Sequence, residues 1–344
     1  MNKSRILAVI ACGALAATLA ASARAALTAA EIVNSFEATF DVNPEGLAHN
    51  GDCVCVSGEF TGTSVAAALS RSALFSHSSL PVIARFSAAR GNANRRNSRE
   101  MELEFRLPGG GLHHMAMLNT ASFGTADAVE FGAMIVAAKP DPNTGTPDLQ
   151  RLHAFLAAHP DAFAQSNFAT ATDAPSAYAS ATYFSIHTFR FIDAEGRTHF
   201  VRWRFLPQDE RTASSPSEAA QDPEDALPYG LLKRLATGPV RWDMIVYVGE
   251  PGDTSDNASI AWPQGRKHFK AGTLTLTQDM HERAEQCARR NFDPLVVTDG
   301  IATTDDPVLL FRSPTYGLAF AKILAQALAW DDAPAADAAA VVDR

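Results

Sequence analysis

Thr182-Tyr183-Phe184-Ser185-Ile186-His187-Thr188-Phe189-Arg190-Phe191-Ile192, then Asp193-Ala194-Glu195-Gly196, then Arg197-Thr198-His199-Phe200-Val201-Arg202-Trp203-Arg204-Phe205-Leu206 reads as two strands joined by a turn. Both runs are rich in aromatic residues, and the connection holds the turn formers Asp193 and Gly196. In the second run His199, Val201, Trp203 and Phe205 alternate with Arg202 and Arg204, the period-two pattern of a strand with one apolar face. Strands joined by a short turn are antiparallel.

The same pattern extends outward in both directions. Upstream, Cys53 to Phe60 and Pro81 to Ser87 read as strands. A second hairpin follows, with Glu100 to Leu107 and Leu112 to Leu118 flanking Pro108-Gly109-Gly110-Gly111. Ala26 to Phe40, Gly62 to Leu69, Ala126 to Ala138 and Pro147 to Phe163, the last capped by Thr146, read as helices. The loop from Gly91 to Arg99 is polar, and its Arg95, Arg96 and Arg99 read as solvated. Downstream, Arg241 to Val248 and Ala271 to Thr277 are strands, while Tyr229 to Ala236 and Glu282 to Arg290 are helices. No repeat and no linker-like stretch divides the chain. The expectation is one α+β domain over residues 26–330, an antiparallel β-barrel with attached helices.

Composition narrows the function. The chain has 344 residues, 47% of them hydrophobic, enough for a sizeable core. Met1 to Ala25 reads as a secretory signal: Lys3 and Arg5 lead an apolar run that ends in the small residues around Arg24. A lipoprotein signal ending at Cys12 ranks second, because the apolar segment before it is short. Removing Lys3, Arg5 and Arg24 takes the basic count of 29 down by three, against 38 acidic residues, and the net charge from −9 to −12. Such a chain is a poor partner for nucleic acid or an anionic membrane, and its expected place is periplasmic or secreted. Cys53, Cys55 and Cys287 remain. Either of the first two could pair with Cys287, and structural thiols fit as well. The tail 331–344, rich in Ala and Asp, has a disordered composition.

The chemistry concentrates in Phe311-Arg312-Ser313-Pro314-Thr315-Tyr316. Ser313 reads as an N-cap and Pro314 as the first helical residue, with Tyr316 in the first turn and Phe320, Leu324 and Leu328 continuing an apolar stripe. Tyrosine is ordinarily protonated, with a pKa of about 10. A helix N-terminus and the Arg312 guanidinium both favour the phenolate, a competent iron ligand. Histidines offer less. His113 and His114 are neighbours on a strand and point to opposite faces. His187 and His199 read as barrel histidines, His153 and His159 as surface ones.

With these residues in view the chain resembles the haem catalases, and most of all the exported catalase-like peroxidases. The resemblance is carried, in order, by Ala84-Arg85-Phe86-Ser87, by Trp262-Pro263 followed by Gly272-Thr273-Leu274, by Asn291-Phe292-Asp293-Pro294-Leu295-Val296-Val297-Thr298-Asp299-Gly300-Ile301, and by Arg312-x-x-x-Tyr316. It implies a catalase-like barrel carrying haem b, with Tyr316 as iron ligand and Arg312 stabilising the phenolate. His49 becomes the distal acid–base residue, Ser87 its hydrogen-bond partner and Arg85 a propionate contact. The departures also matter. His49 stands nine residues before Gly58, where the family pattern has eight and Asn50 falls. Gly46 and Ile323 stand where arginines are usual, and Leu118 where the distal asparagine is, with Asn119 one place on. The implied function is a haem peroxidase that acts on hydrogen or organic peroxides with a small organic reductant and has weak or absent catalase activity. A homo-oligomer is compatible with it, and the mature chain needs no membrane. The alternatives are a haem-carrying or ligand-binding barrel with little turnover and, behind it, an enzyme converting fatty-acid hydroperoxides.

Overall fold

The structure is a computed structural model that describes residues 28–40, 53–76, 78–88, 99–139, 141, 144, 148–162, 177–209, 226–280, 287 and 290–331. The expected signal sequence, His49 and the tail beyond Asp331 lie outside the described residues. Ten strands occur among them: β1 Val54–Gly62, β2 Ser79–Ala88, β3 Arg99–Arg106, β4 Leu112–Leu118, β5 Tyr183–Phe184, β6 Phe189–Ile192, β7 Thr198–Pro207, β8 Val240–Val248, β9 His268–Asp279 and β10 Ile301–Thr303. Their order is β10-β6-β7-β5-β4-β3-β2-β1-β9-β8, and β7 also pairs with β8, so the sheet closes. Eight antiparallel strands form the wall, and the barrel is antiparallel as the hairpin pattern predicted.

Period-two alternation fills the barrel. Leu80, Val82, Ala84 and Phe86 of β2 and Met101, Leu103 and Phe105 of β3 are buried on the inner face. Aromatic rings dominate this core; Phe86 stacks on Trp242 at 5.7 Å and Phe60 meets Phe105 edge-on at 5.4 Å. Gly58 marks a bulge between β1 and β9, where a Cβ would lie 2.0 Å from the Thr275 carbonyl oxygen.

Six helices are described: α1 Ala29–Phe40, α2 Ser64–Leu69, α3 Ala128–Ala138, α4 Leu149–Ala158, α5 Ala226–Leu235 and α6 Pro307–Asp331. Helices α1, α3 and α6 pack together on the outside of the barrel, and Lys322 of α6 reaches Glu37 of α1 at 2.7 Å.

Several local expectations are corrected. The first strand of the opening hairpin is broken between Phe184 and Phe189, where Ile186 takes a φ of 44°. Ser185 causes the break: its hydroxyl donates to the His187 carbonyl and accepts from the Trp203 amide, side-chain bonds that replace the ladder. Helix α4 starts at Leu149, because Asp148 accepts from the amides of Gln150 and Arg151; Thr146 lies outside the described residues. Arg99 is buried at the start of β3 rather than solvated. The three-residue strand β10 was too short to show a period. The helix expected at Glu282 to Arg290 lies mostly outside the described residues.

Candidate active site

The site lies where α6 crosses the outer face of β2 and β3. Register sets its floor. Arg85 of β2 stands opposite Glu102 of β3, and Ser87 opposite Glu100. Because the neighbouring residues fill the barrel, all four side chains leave the other face of the sheet. Arg85 Nε donates to Glu102 Oε2 at 2.6 Å, and both side chains are buried. Ser87 Oγ donates to Glu100 Oε2 at 3.2 Å. One step further along β3, Glu104 accepts from Arg290 at 2.6 Å; burial acts to raise its pKa, but His114 and Arg290 outweigh it and hold it down at about 2.

Helix α6 and the segment before it form the roof. Arg312 and Tyr316 are one turn apart and face the same way. Arg312 Nη2 donates to the Tyr316 oxygen at 2.8 Å, and the Tyr316 hydroxyl donates to Glu102 Oε1 at 3.2 Å. The Arg85 guanidinium lies 4.5 Å from the centre of the Phe292 ring. Ser313 Oγ donates to Asp293, so the helix is tied to the Phe292 segment. A disulfide between Cys55 and Cys287 decides the cysteine question and joins β1 to the same segment. Cys53 lies outside it.

The helix start differs from expectation. Helix α6 begins at Pro307, and Asp306 Oδ1 caps it by accepting from the amides of Val308 and Leu309. Ser313 is therefore interior, and Pro314 costs the Leu310 carbonyl its helical donor. Tyr316 sits in the third turn, beyond the reach of the dipole. Burial raises its pKa above the usual tyrosine value; Arg312 opposes this, and Glu102 and Glu100 reinforce it. Burial acts to lower the Arg312 pKa, but Tyr316 and the two glutamates outweigh it and raise it.

Asp306 has a second partner. Its Oδ2 lies 2.8 Å from His187 Nδ1, and both side chains are buried. Burial holds the His187 pKa down at about 4, despite the carboxylate. His113 points into the barrel beside Phe105 and His114 toward Asp293 and Glu104, so the pair do face opposite ways. His199 reaches Asp193 at 3.4 Å, His159 contacts Glu130, and His153 is exposed.

Of the residues chosen from sequence, Arg85, Ser87, Arg312 and Tyr316 meet in one cluster, and His49 lies outside the described residues. Leu118 stands opposite Glu100 in the β3–β4 ladder, Asn119 accepts from the Arg99 amide at 2.9 Å, and Ile323 is buried. Glu100, Glu102 and Asp306 were not picked out from the sequence. Glu100, Glu102 and Glu104, spaced by two on a strand with an apolar second face, were the available signal.

A ferric porphyrin needs a hard anionic oxygen at the metal and cations near its own carboxylates. Tyr316, once its proton is given up, can meet the first need with Arg312 beside it, and Arg85 can meet the second. Among the described residues the buried Arg312 Nη1 has no hydrogen-bond partner, which leaves a donor for a further anion. The residues fit the group.

Comparison with known proteins agrees with this geometry. The family model "Catalase" matches residues 35–324. A catalase-related peroxidase from Synechococcus elongatus is 40% identical over 300 residues, covering 86% of this chain and 88% of that one. A catalase-related peroxidase from Mycolicibacterium paratuberculosis is 32% identical, covering 84% and 93%. Among solved structures, a bacterial catalase superposes with a TM-score of 0.68 at 21% identity over 77% of this chain and 55% of that one. A fungal catalase gives 0.71 at 19% identity over 79% and 58%. These two likenesses concern the fold alone. With the family model covering most of its length, and two relatives matched nearly end to end, the chain belongs to the catalase family.

Proposed function

We propose that this protein is a haem b-dependent peroxidase that reduces hydrogen or organic peroxides with a small organic electron donor and has weak or absent catalase activity. As a member of its family it is an oxidoreductase acting on peroxide. The observation that carries the finer reading is the half-buried Arg312–Tyr316 hydrogen bond above the buried Arg85–Glu102 pair.

Bound haem would supply an iron that accepts peroxide oxygen and draws electrons from the donor one at a time. Tyr316 would hold that iron through its phenol oxygen. Arg312 offsets the charge on the phenolate oxygen through a charge-assisted bond. Arg85 faces the haem carboxylates, a task suited to a planar guanidinium. By the family resemblance His49 takes and returns the peroxide proton, with Ser87 as the hydrogen-bond partner that the same resemblance assigns to it. Leu118 cannot offer the hydrogen bond of an asparagine, which disfavours oxidation of a second peroxide and leaves the organic donor as reductant. A periplasmic or secreted site belongs to the same proposal, and the Cys55–Cys287 disulfide supports it.

The test is a visible spectrum of haem-reconstituted wild type beside Tyr316→Phe, followed by peroxide consumption with and without a phenolic donor. The expected result is a high-spin ferric spectrum that collapses in the variant, and donor-dependent consumption with little oxygen release. A wild type that takes up no haem defeats the reading. Donor-independent oxygen release would assign catalase activity instead, and haem uptake with no turnover would leave a haem-carrying barrel.

A further inference from the structure

Glu100 and Glu102 leave the same face of β3, about 7 Å apart along the strand. Their partners differ in kind. Glu102 receives the Arg85 guanidinium at 2.6 Å and the Tyr316 hydroxyl at 3.2 Å. Among the described residues, the hydrogen bond to Glu100 comes from a neutral donor, Ser87 Oγ, at 3.2 Å. A half-buried carboxylate held by a hydroxyl beside a second carboxylate takes up a proton more readily than a solvated one.

Among the described residues, the groups around Glu100 come from β2, β3, β4 and α6, and Tyr316 of α6 is one of them. Arg85 and Ser87 face it from β2, Glu102 neighbours it on β3, Leu118 stands opposite on β4, and Arg312 approaches from α6. Burial raises the Glu100 pKa and Glu102 adds to the rise, while Arg312, Ser87 and Arg85 oppose it without cancelling it.

We infer that Glu100 is a second acid–base residue of the peroxide site, held in place by Ser87. The inference rests on the peroxidase reading above. The carboxylate takes a proton as the peroxide O–H bond breaks. It returns that proton to the oxygen released when the O–O bond breaks, and water leaves. Glu100 ends as it began, and the two electrons come from the bound cofactor. The residue thus shares the task that the resemblance assigns to His49 alone.

Cyanide binding tests this without turnover. Hydrogen cyanide binds ferric iron as the anion and must leave its proton on a nearby base. The protein is reconstituted with haem, and cyanide affinity is followed by absorption from about pH 5 to about pH 9, a range spanning a raised carboxylate pKa. In wild type, affinity should fall as the pH drops and Glu100 becomes protonated. Glu100→Gln should bind cyanide about tenfold more weakly at neutral pH, the equivalent of one pKa unit, and lose that dependence while its resting spectrum is unchanged. A Glu100→Gln protein with wild-type affinity and pH profile overturns the inference and leaves the peroxidase reading standing. Should that variant take up no haem, Ser87→Ala decides. Losing the hydroxyl donor moves the midpoint of the profile to higher pH, and an unmoved midpoint overturns the inference. A wild type without a haem spectrum overturns both readings together.

Discussion

Cys55 and Cys287 are 232 positions apart in sequence, yet their Cα atoms lie 6.2 Å apart. The bond ties the outer face of β1 to the segment that places Phe292 against Arg85. It therefore braces the roof of the site as well as the fold. Cys55→Ser should destabilise the protein by about 2–5 kcal/mol, the usual range for a disulfide closing a long loop. Denaturant unfolding with and without reductant checks this. Equal midpoints under the two conditions would mean that the bond contributes nothing.

Removing the charge of Glu102 strands two donors at once. Glu102→Gln leaves Arg85 without its buried counter-ion and weakens the acceptor of the Tyr316 hydroxyl. Breaking a buried ion pair in this way costs about 3–5 kcal/mol. Chemical unfolding of the variant should show a loss of that size. A change below about 1 kcal/mol, the range of an exposed pair, would mean that water reaches the pair freely.

Asp306 anchors the helix that carries Arg312 and Tyr316, because one oxygen caps α6 and the other meets His187. Asp306→Ala removes both contacts and should cost about 2–4 kcal/mol. Asp306→Asn should cost less, since an amide oxygen can still cap. Thermal unfolding of the two variants compares them, and equal losses would show that capping contributes little.

Stability should fall on mild acidification, before most carboxylates titrate. His187 is held down at about 4 and His113 at about 3, both chiefly by burial, against about 6.5 in an unfolded chain. Between those values the unfolded state binds the extra protons, so the free energy of unfolding drops as pH falls through the window. The loss should begin near pH 6.5 and reach about 3 kcal/mol per histidine near pH 4. Unfolding measured across this range checks it. A flat profile down to about pH 5 would mean that both rings are solvated, because only the carboxylates would then titrate.

Much of this molecule is legible in the chain itself, because alternation and turn chemistry are properties of neighbouring residues. The hairpins, the antiparallel barrel, the shared face of Arg85 and Ser87, and the one-turn spacing of Arg312 and Tyr316 all follow from periods of two and of about 3.6. What neighbours cannot specify is which distant group answers a given one. Ser313 and Pro314 look like a helix start, but Asp306, buried against His187, is the better cap and moves the start back to Pro307. The choice of Cys55 over Cys53 needed the position of Cys287. Glu102 reads as an ordinary strand charge until barrel closure and the crossing of α6 bring it to Tyr316, 214 positions away. Burial there turns Glu102 and Glu104 from solvated-looking charges into paired ones. Only the tertiary structure decides that, because the cost of a buried charge depends on the partner that the fold delivers.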